Sequence, residues 1–417
     1  MLLKITFLGV LLAATACSTI PSRSTASDGI ASIKTRVSSR SRPSIFSAWN
    51  NATDLHSGAG PAKVALGSLE DPMTTANRHD LLWRTPEAMG LRHNAQKTFA
   101  ATGFTPESIE AAHKLRARLM ELNPNAILLV SISYRAAPDF YADPDASFWR
   151  RDASGARVVA WHEQNYTAYK LDFSKPEIQK RTVDECRWIM EAGVADGCFL
   201  DWWVENDTPL DFPGAGASRL ALLKTLRDAV GDAPLILVNT NGRLPEKSAP
   251  YINGMYMEGF YADFFNKWET ARDNLIWATK NLRAPALTAF EGWYALDDNK
   301  GRDDFARLRM TTTMSLVFAD GYALFGDPNA LPTPDHLHDW YPFWNTKLGK
   351  PTEAFVHNYD GTYVRQFENG AAVFNPPDNA PVTMNFAVKV FSGASQSFVQ
   401  HFVIAPGDGD IILDRGN

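Results

Sequence analysis

Three acids end apolar runs. Asp201 follows Gly197-Cys198-Phe199-Leu200, Glu258 follows Gly254-Met255-Tyr256-Met257, and Glu291 follows Leu287-Thr288-Ala289-Phe290. A pair of carboxylates can cleave a glycosidic bond: one protonates the leaving oxygen, and the other attacks the anomeric carbon or activates water. The two roles separate when their environments push the pKa values apart. Trp202, Trp203, Tyr261 and Trp293 stand beside these acids, with Trp49 and Tyr134 at the ends of other apolar runs. Such rings can stack on the C–H faces of a sugar, and Asn239 and Asn241, ending a further run, can hydrogen-bond its hydroxyls. Each residue also has a plainer reading, since an acid after a strand is often a helix cap and a tryptophan often fills a core. Three acids beside aromatics favour a shared site, with Glu291 positioning substrate or replacing one of the pair. Asp196 and Asp320 precede their runs and read as structural, while Asp327 is a weaker rim candidate.

Acids at strand ends need a scaffold that gathers those ends. Eight candidate strands, 44–49, 80–84, 126–134, 197–203, 235–241, 254–261, 286–293 and 321–326, alternate with helical patterns. Several are near-continuous apolar runs, as in parallel strands buried on both faces. Thr105-Pro106-Glu107 reads as a hydroxyl cap with proline at the first helical position, and Ser174-Lys175-Pro176-Glu177 as a capping box opening a helix that ends near Gly193. The order predicts an α/β fold, a (β/α)₈ barrel over 44–341 whose active site lies at the carboxyl ends of the strands. A doubly wound open sheet is the runner-up, weakened by the lack of a Gly-rich phosphate loop. Beyond residue 341, short runs separated by Asp360-Gly361, Asn369-Gly370 and Gly407-Asp408-Gly409 predict a small C-terminal all-β domain, 342–417.

The N-terminus reads as an export signal. Lys4, the apolar run Ile5–Leu12 and Ala13-Ala14-Thr15-Ala16-Cys17 resemble a bacterial lipoprotein signal with Cys17 lipidated. Ser18 in place of Asp then favours the outer membrane, at its periplasmic face or the cell surface. Residues 18–43, Ser/Thr-rich with five basic residues against one acid, read as a flexible tether. With Cys17 used, Cys186 and Cys198 read as two inert core thiols, and a disulfide framework is excluded.

The chain has 417 residues, 12% of them aromatic, and a formal net charge of −6, which argues against a nucleic-acid partner. The nine histidines are scattered, and His336-x-His338 lies in a loop, so no metal and no cofactor is expected. A Gly-x-Ser-x-Gly elbow is absent, which sets a serine hydrolase aside.

The run Leu171-Asp172-Phe173-Ser174-Lys175-Pro176-Glu177, with Asp196-Gly197-Cys198-Phe199-Leu200-Asp201, resembles polygalactosaminidase-like barrel hydrolases. Phe318-Ala319-Asp320-Gly321-Tyr322, Trp340-Tyr341, Leu348-Gly349-Lys350-Pro351 and Tyr363-Val364-Arg365-Gln366-Phe367 resemble hypothetical glycosyl hydrolase family fifteen. The resemblance implies a barrel with a C-terminal β-domain acting on a polysaccharide, with Asp201 as nucleophile or base and Glu258 as general acid. The alternative is a non-catalytic glycan-binding or envelope polysaccharide-assembly lipoprotein that keeps the barrel as a scaffold.

Overall fold

The structure is a computed structural model that describes residues 31–49, 76–162, 165–261, 265–296, 300–329 and 336–414. The signal peptide, Cys17 and residues 18–30 of the expected tether lie outside the described residues.

Apolar runs form the strands β1 (Ser44–Ala48), β2 (Leu81–Arg84) and β3 (Ile127–Ser131). An excursion follows, made of β4 (Ala136–Pro138), β5 (Val159–His162) and β6 (Thr167–Lys170). The series resumes with β7 (Gly197–Leu200), β8 (Leu235–Asn239), β9 (Gly254–Phe260), β10 (Leu287–Trp293) and β11 (Tyr322–Gly326). Eight of these form a closed parallel barrel in the order β1-β2-β3-β7-β8-β9-β10-β11. Closure is made where Ser44 and Ile45 pair with Tyr322 and Ala323, which removes the open sheet from consideration. The helices are α1 (Ile33–Ser38), α2 (Pro106–Leu122), α3 (Pro176–Ala192), α4 (Ala215–Val230), α5 (Trp268–Asn281) and α6 (Phe305–Phe318). α2 starts as its sequence predicts: the Thr105 hydroxyl accepts the Ser108 amide and Pro106 opens the helix. α3 ends on Gly193 in the left-handed conformation (φ 69°).

Four features differ from the sequence reading. The antiparallel sheet β4-β6-β5 was not expected; its strands are three or four residues long and too short to show a period. The capping box at α3 does not form, because the Ser174 hydroxyl donates to Asp172 instead and Lys175 stands at the cap. Cys186 on α3 and Cys198 on β7 are not free thiols but a disulfide, with Cα atoms 6.2 Å apart. The turn at 193–196 folds β7 back along α3, so two cysteines 12 residues apart in sequence meet across a helix–strand contact that spacing does not reveal.

The fourth difference is at the expected tether. Its second half is ordered: α1 lies across the amino ends of the strands, and Arg36 is buried there. The Arg36 guanidinium makes a fork with the Asp196 carboxylate (2.9 and 2.5 Å) and donates to the Ala126 carbonyl. Asp196 also accepts from Arg116 (2.6 Å) and from the Leu128 amide (2.9 Å). Arg40 reaches the Asp320 and Gly321 carbonyls, and Asn125 holds the Ser39 carbonyl. Asp196 and Asp320 are therefore anchors for an N-terminal strap.

The barrel interior is filled with rings. Trp83 stacks between Phe46 (5.1 Å) and Phe199 (4.7 Å), and Tyr256 leans on the same ring (5.0 Å). This layer forms a floor beneath the carboxyl ends.

The C-terminal sheet contains β12 (Val356–His357), β13 (Tyr363–Phe367), β14 (Gly370–Asn375), β15 (Val382–Ser392), β16 (Ser397–Ile404) and β17 (Asp408–Leu413). Its order is β12-β13-β14-β17-β15-β16. It packs on α6: Phe318 meets Phe355, Tyr363 and Phe374 edge-on, and Arg309 forks onto Asp408 (2.8 and 2.6 Å).

Candidate active site

Asp201, Asn239 and Glu258 stand at the carboxyl ends of β7, β8 and β9, and one amide joins them. The Asn239 Nδ2 donates to Asp201 Oδ1 (2.9 Å) and to Glu258 Oε2 (2.6 Å). Asn241 Nδ2 donates to the same Oε2 (2.9 Å), and Asn329 Nδ2 donates to Oε1 (2.7 Å). Glu258 Oε2 thus accepts two amides and Oε1 one, which leaves a lone pair on Oε1 for a proton.

Burial decides the electrostatics. Glu258 is 6% exposed, and desolvation pushes its carboxyl up to about 7. The charges of Asp201 and Glu291 add to that rise, while His336 and the Asn239 hydrogen bond oppose it. Asp201 is also raised by burial, against the Asn239 bond, the Trp202 amide and the Arg135 charge.

The backbone at this mouth is unusual. Trp202 (φ 52°), Asn241 (φ 47°), Tyr261 (φ 81°) and His336 (φ 60°) all take left-handed conformations that non-glycine residues rarely adopt. Such positions cluster where a fold holds side chains for a purpose. Trp202 is left 40% exposed at the rim, with the Arg135 guanidinium 4.6 Å from its ring centroid. Beneath it, Tyr134 donates to the Trp202 carbonyl (2.9 Å) and accepts from Arg219 (3.0 Å). Trp293 packs over Gly259, whose φ of 74° is left-handed and where a Cβ would come within a tight 3.2 Å of that indole. Trp49 caps the aromatic floor, edge-on to Phe199 (5.0 Å), with its centroid 5.7 Å from His336.

Several expected sugar contacts lie elsewhere. Trp203 is 1% exposed and donates to Ser248 (2.8 Å), so it is core. Trp202, left-handed just past the end of β7, lies at the rim, whereas its neighbour Trp203 is turned into the core. Tyr134 is buried as a support for Trp202. Tyr261 turns towards α6, its hydroxyl on Met310 Sδ (3.3 Å) and the Arg307 guanidinium over its ring (4.3 Å). Asp327 is held by a two-pronged bridge to Arg302. Glu291 has no exposed surface, so it cannot position substrate directly; it accepts from Tyr256 Oη (2.5 Å) and contacts His336 Nδ1 (3.0 Å).

Tyr256, His336 and Asn329 are the residues that sequence reading missed. Tyr256 was legible in principle, since it lies two residues from Glu258 and shares its face of β9. His336 and Asn329 come from the loop after β11, where no period exists to place them. Glu258, Glu291 and His336 bring donor atoms within 4.8 Å of one another, the one grouping among the described residues with the make-up of a cation site. His336 Nδ1 is engaged by Glu291 and Tyr256, and Glu258 by three amides, so these groups are held by hydrogen bonds from the protein itself.

A closed (β/α)₈ barrel with buried acids gathered at its carboxyl mouth defines the class: a barrel whose functional end is the carboxyl end of its strands. The family model for hypothetical glycosyl hydrolase family 15 matches residues 130–371. The chain belongs to that family and is thereby a glycoside hydrolase with a carbohydrate substrate. No curated protein matches the chain. Among solved structures, the maltogenic α-amylase AmyB from Thermotoga neapolitana is similar at 13% identity, over 89% of this chain and 96% of that one, with a TM-score of 0.50. The isomalto-dextranase of Arthrobacter globiformis T6, complexed with panose, matches at 13% identity over 92% and 74%, with a TM-score of 0.48. The glycoside hydrolase domain of PelA from Pseudomonas aeruginosa matches at 12% identity over 69% and 95%, with a TM-score of 0.37. At 13% identity the likeness to the maltogenic α-amylase speaks to the fold alone.

Proposed function

We propose that the protein hydrolyses a polysaccharide with retention of anomeric configuration, with Asp201 as nucleophile and Glu258 as acid and then base. The observation that carries this is the shared amide of Asn239. The two oxygens it binds can be no farther apart than the two bonds of 2.9 and 2.6 Å laid end to end. That limit, about 5.5 Å for this pair of oxygens, falls within the spacing of retaining enzymes and below that of inverting ones, and so favours retention. In the first step Glu258 gives its proton to the leaving glycosidic oxygen while an Asp201 oxygen bonds to the anomeric carbon, forming a glycosyl ester. In the second, Glu258 takes a proton from water, whose oxygen displaces Asp201. Trp202 and Trp293 supply stacking faces at the mouth, and Trp49 a third from the floor.

The acid must be protonated at the start of each turnover. Glu258 loses its proton near pH 7, so kcat/KM is expected to fall as pH rises through about 7. The acidic limb follows Asp201, which must be ionised to attack and which burial holds above the ordinary carboxylate range. A reducing-end assay over a polysaccharide panel, followed on the best substrate by a pH profile and NMR of the first-formed anomer, tests both claims. An inverted first product sinks the retaining assignment, and binding without turnover on every glycan returns the protein to the scaffold alternative.

We also propose export and lipid anchoring at Cys17, on the outer membrane at its periplasmic face or the cell surface. Support comes from the signal-like sequence and from the Cys186–Cys198 disulfide, which suits an oxidising compartment. Palmitate labelling in the native host is expected to mark the wild-type chain and to vanish in Cys17→Ser. Equal labelling of the two chains would disprove the anchor.

A further inference from the structure

We infer that His336 is a positioning residue for the proton donor, its ring fixed by Glu291 and Tyr256 so that the opposite edge faces Glu258. The inference rests on the acid role proposed for Glu258 and extends it. His336 is 1% exposed and Glu291 has no exposed surface, so neither can meet a polysaccharide. A fully buried carboxylate at an enzyme mouth needs compensation, and Glu291 has it from two donors. Tyr256 Oη donates to Oε2, and His336 Nδ1 lies 3.0 Å from Oε1 and 3.2 Å from Oε2. That contact fixes the proton on Nδ1 and orients the ring. The other ring nitrogen, Nε2, then stands 4.0 Å from Glu258 Oε1. This is too long for a hydrogen bond but short enough for a charge on the imidazole to act on the carboxyl.

The surroundings hold the arrangement in place. His336 keeps a left-handed backbone, and its carbonyl accepts from His338 Nδ1 (2.7 Å), whose Nε2 meets His79 Nε2 (2.9 Å). The Asp327 amide donates to Leu337, pinning the loop to the end of β11 (2.8 Å). Gly326 sits where a Cβ would come within 3.1 Å of Glu291 Oε1 and 3.5 Å of the His336 carbonyl, so a side chain there would press on both partners. The indole of Trp49 covers the His336 ring.

The titratable groups around Glu258 are Asp201 from β7, Tyr256 on its own strand, Glu291 from β10 and His336 from the loop after β11. Tyr256 is held neutral far above its ordinary range by burial, and His338, pushed down to about 4 by burial, is neutral as well. Asp201 and Glu291 raise Glu258, and the charge of His336 opposes them, with help from the Asn239 hydrogen bond. Its role is thus to keep the donor from becoming too weak an acid, and to balance the carboxylate left after the proton has gone.

The test needs no substrate. Protein labelled with ¹³C at the glutamate δ-carbon is titrated by NMR, and the Glu258 signal is assigned by its loss in Glu258→Gln. In His336→Gln the Glu258 midpoint is expected to rise by about one pH unit. His336→Asn serves where the glutamine variant fails to fold. An unchanged or lowered midpoint in a folded variant overturns the inference. Full turnover by Glu258→Gln would instead remove the acid role while leaving the measured coupling intact, so the two failures are distinguishable.

Discussion

Glu258→Gln is expected to lower turnover by about 10²–10⁴-fold, and Asp201→Asn by at least as much. Both variants keep side-chain volume and a hydrogen-bonding oxygen for Asn239, so the loss is expected without unfolding. The two should differ in kind. A substrate with a leaving group acidic enough to depart unaided bypasses the proton donor, so Glu258→Gln should recover most of its first-step rate on an activated aryl glycoside. Asp201→Asn should not recover, because bond formation at the anomeric carbon is missing whatever leaves. Azide should then rescue the second step of Glu258→Gln as a glycosyl azide, since it needs no general base. If both variants keep full activity, or the activated substrate rescues Asp201→Asn, the assignment of the pair is wrong.

Arg36→Ala is expected to destabilise the fold by about 3 kcal/mol, although the residue lies in a stretch whose composition suggests a solvated spacer. Breaking a buried ion pair costs more than the pair was worth, because the remaining charge keeps its desolvation penalty. Arg36 and Asp196 side chains are each 2% exposed, and Arg36 also satisfies the Ala126 carbonyl. Arg116 stays on Asp196 after the change, which keeps the loss at the lower end of the range. Chemical unfolding of the wild type, Arg36→Ala and the double variant with Asp196→Asn measures it. The double variant should be less damaged than two independent losses predict. A midpoint equal to wild type in Arg36→Ala would show that the strap merely rests on the barrel.

The barrel was legible because its strands are apolar on both faces. Runs such as Leu200 back to Gly197, or Leu235–Asn239, have no alternation to misread and end on polar residues that mark the mouth. Asp201, Asn239 and Glu258 were reached on that logic alone. Glu291 shows where it stops. It ends an apolar run as Glu258 does, yet it has no exposed surface, and nothing in the run itself separates the two. Trp202 and Trp203 both read as sugar contacts, although neighbours along an extended chain point to opposite sides, and one is at the rim while the other is core. The loop bringing His336 and Asn329 follows no periodicity, and Arg36 gained its partner from a segment 160 residues away.

The strap has a mechanical consequence. The chain is gripped at residues 36–40 against the amino ends of β3, β7 and β11, while the two acids sit at the carboxyl ends of β7 and β9, across the barrel's length. A pull arriving through the preceding residues is borne by Arg36 and Arg40 at the foot of the barrel, where it does not load Asn239 or the two acids it joins.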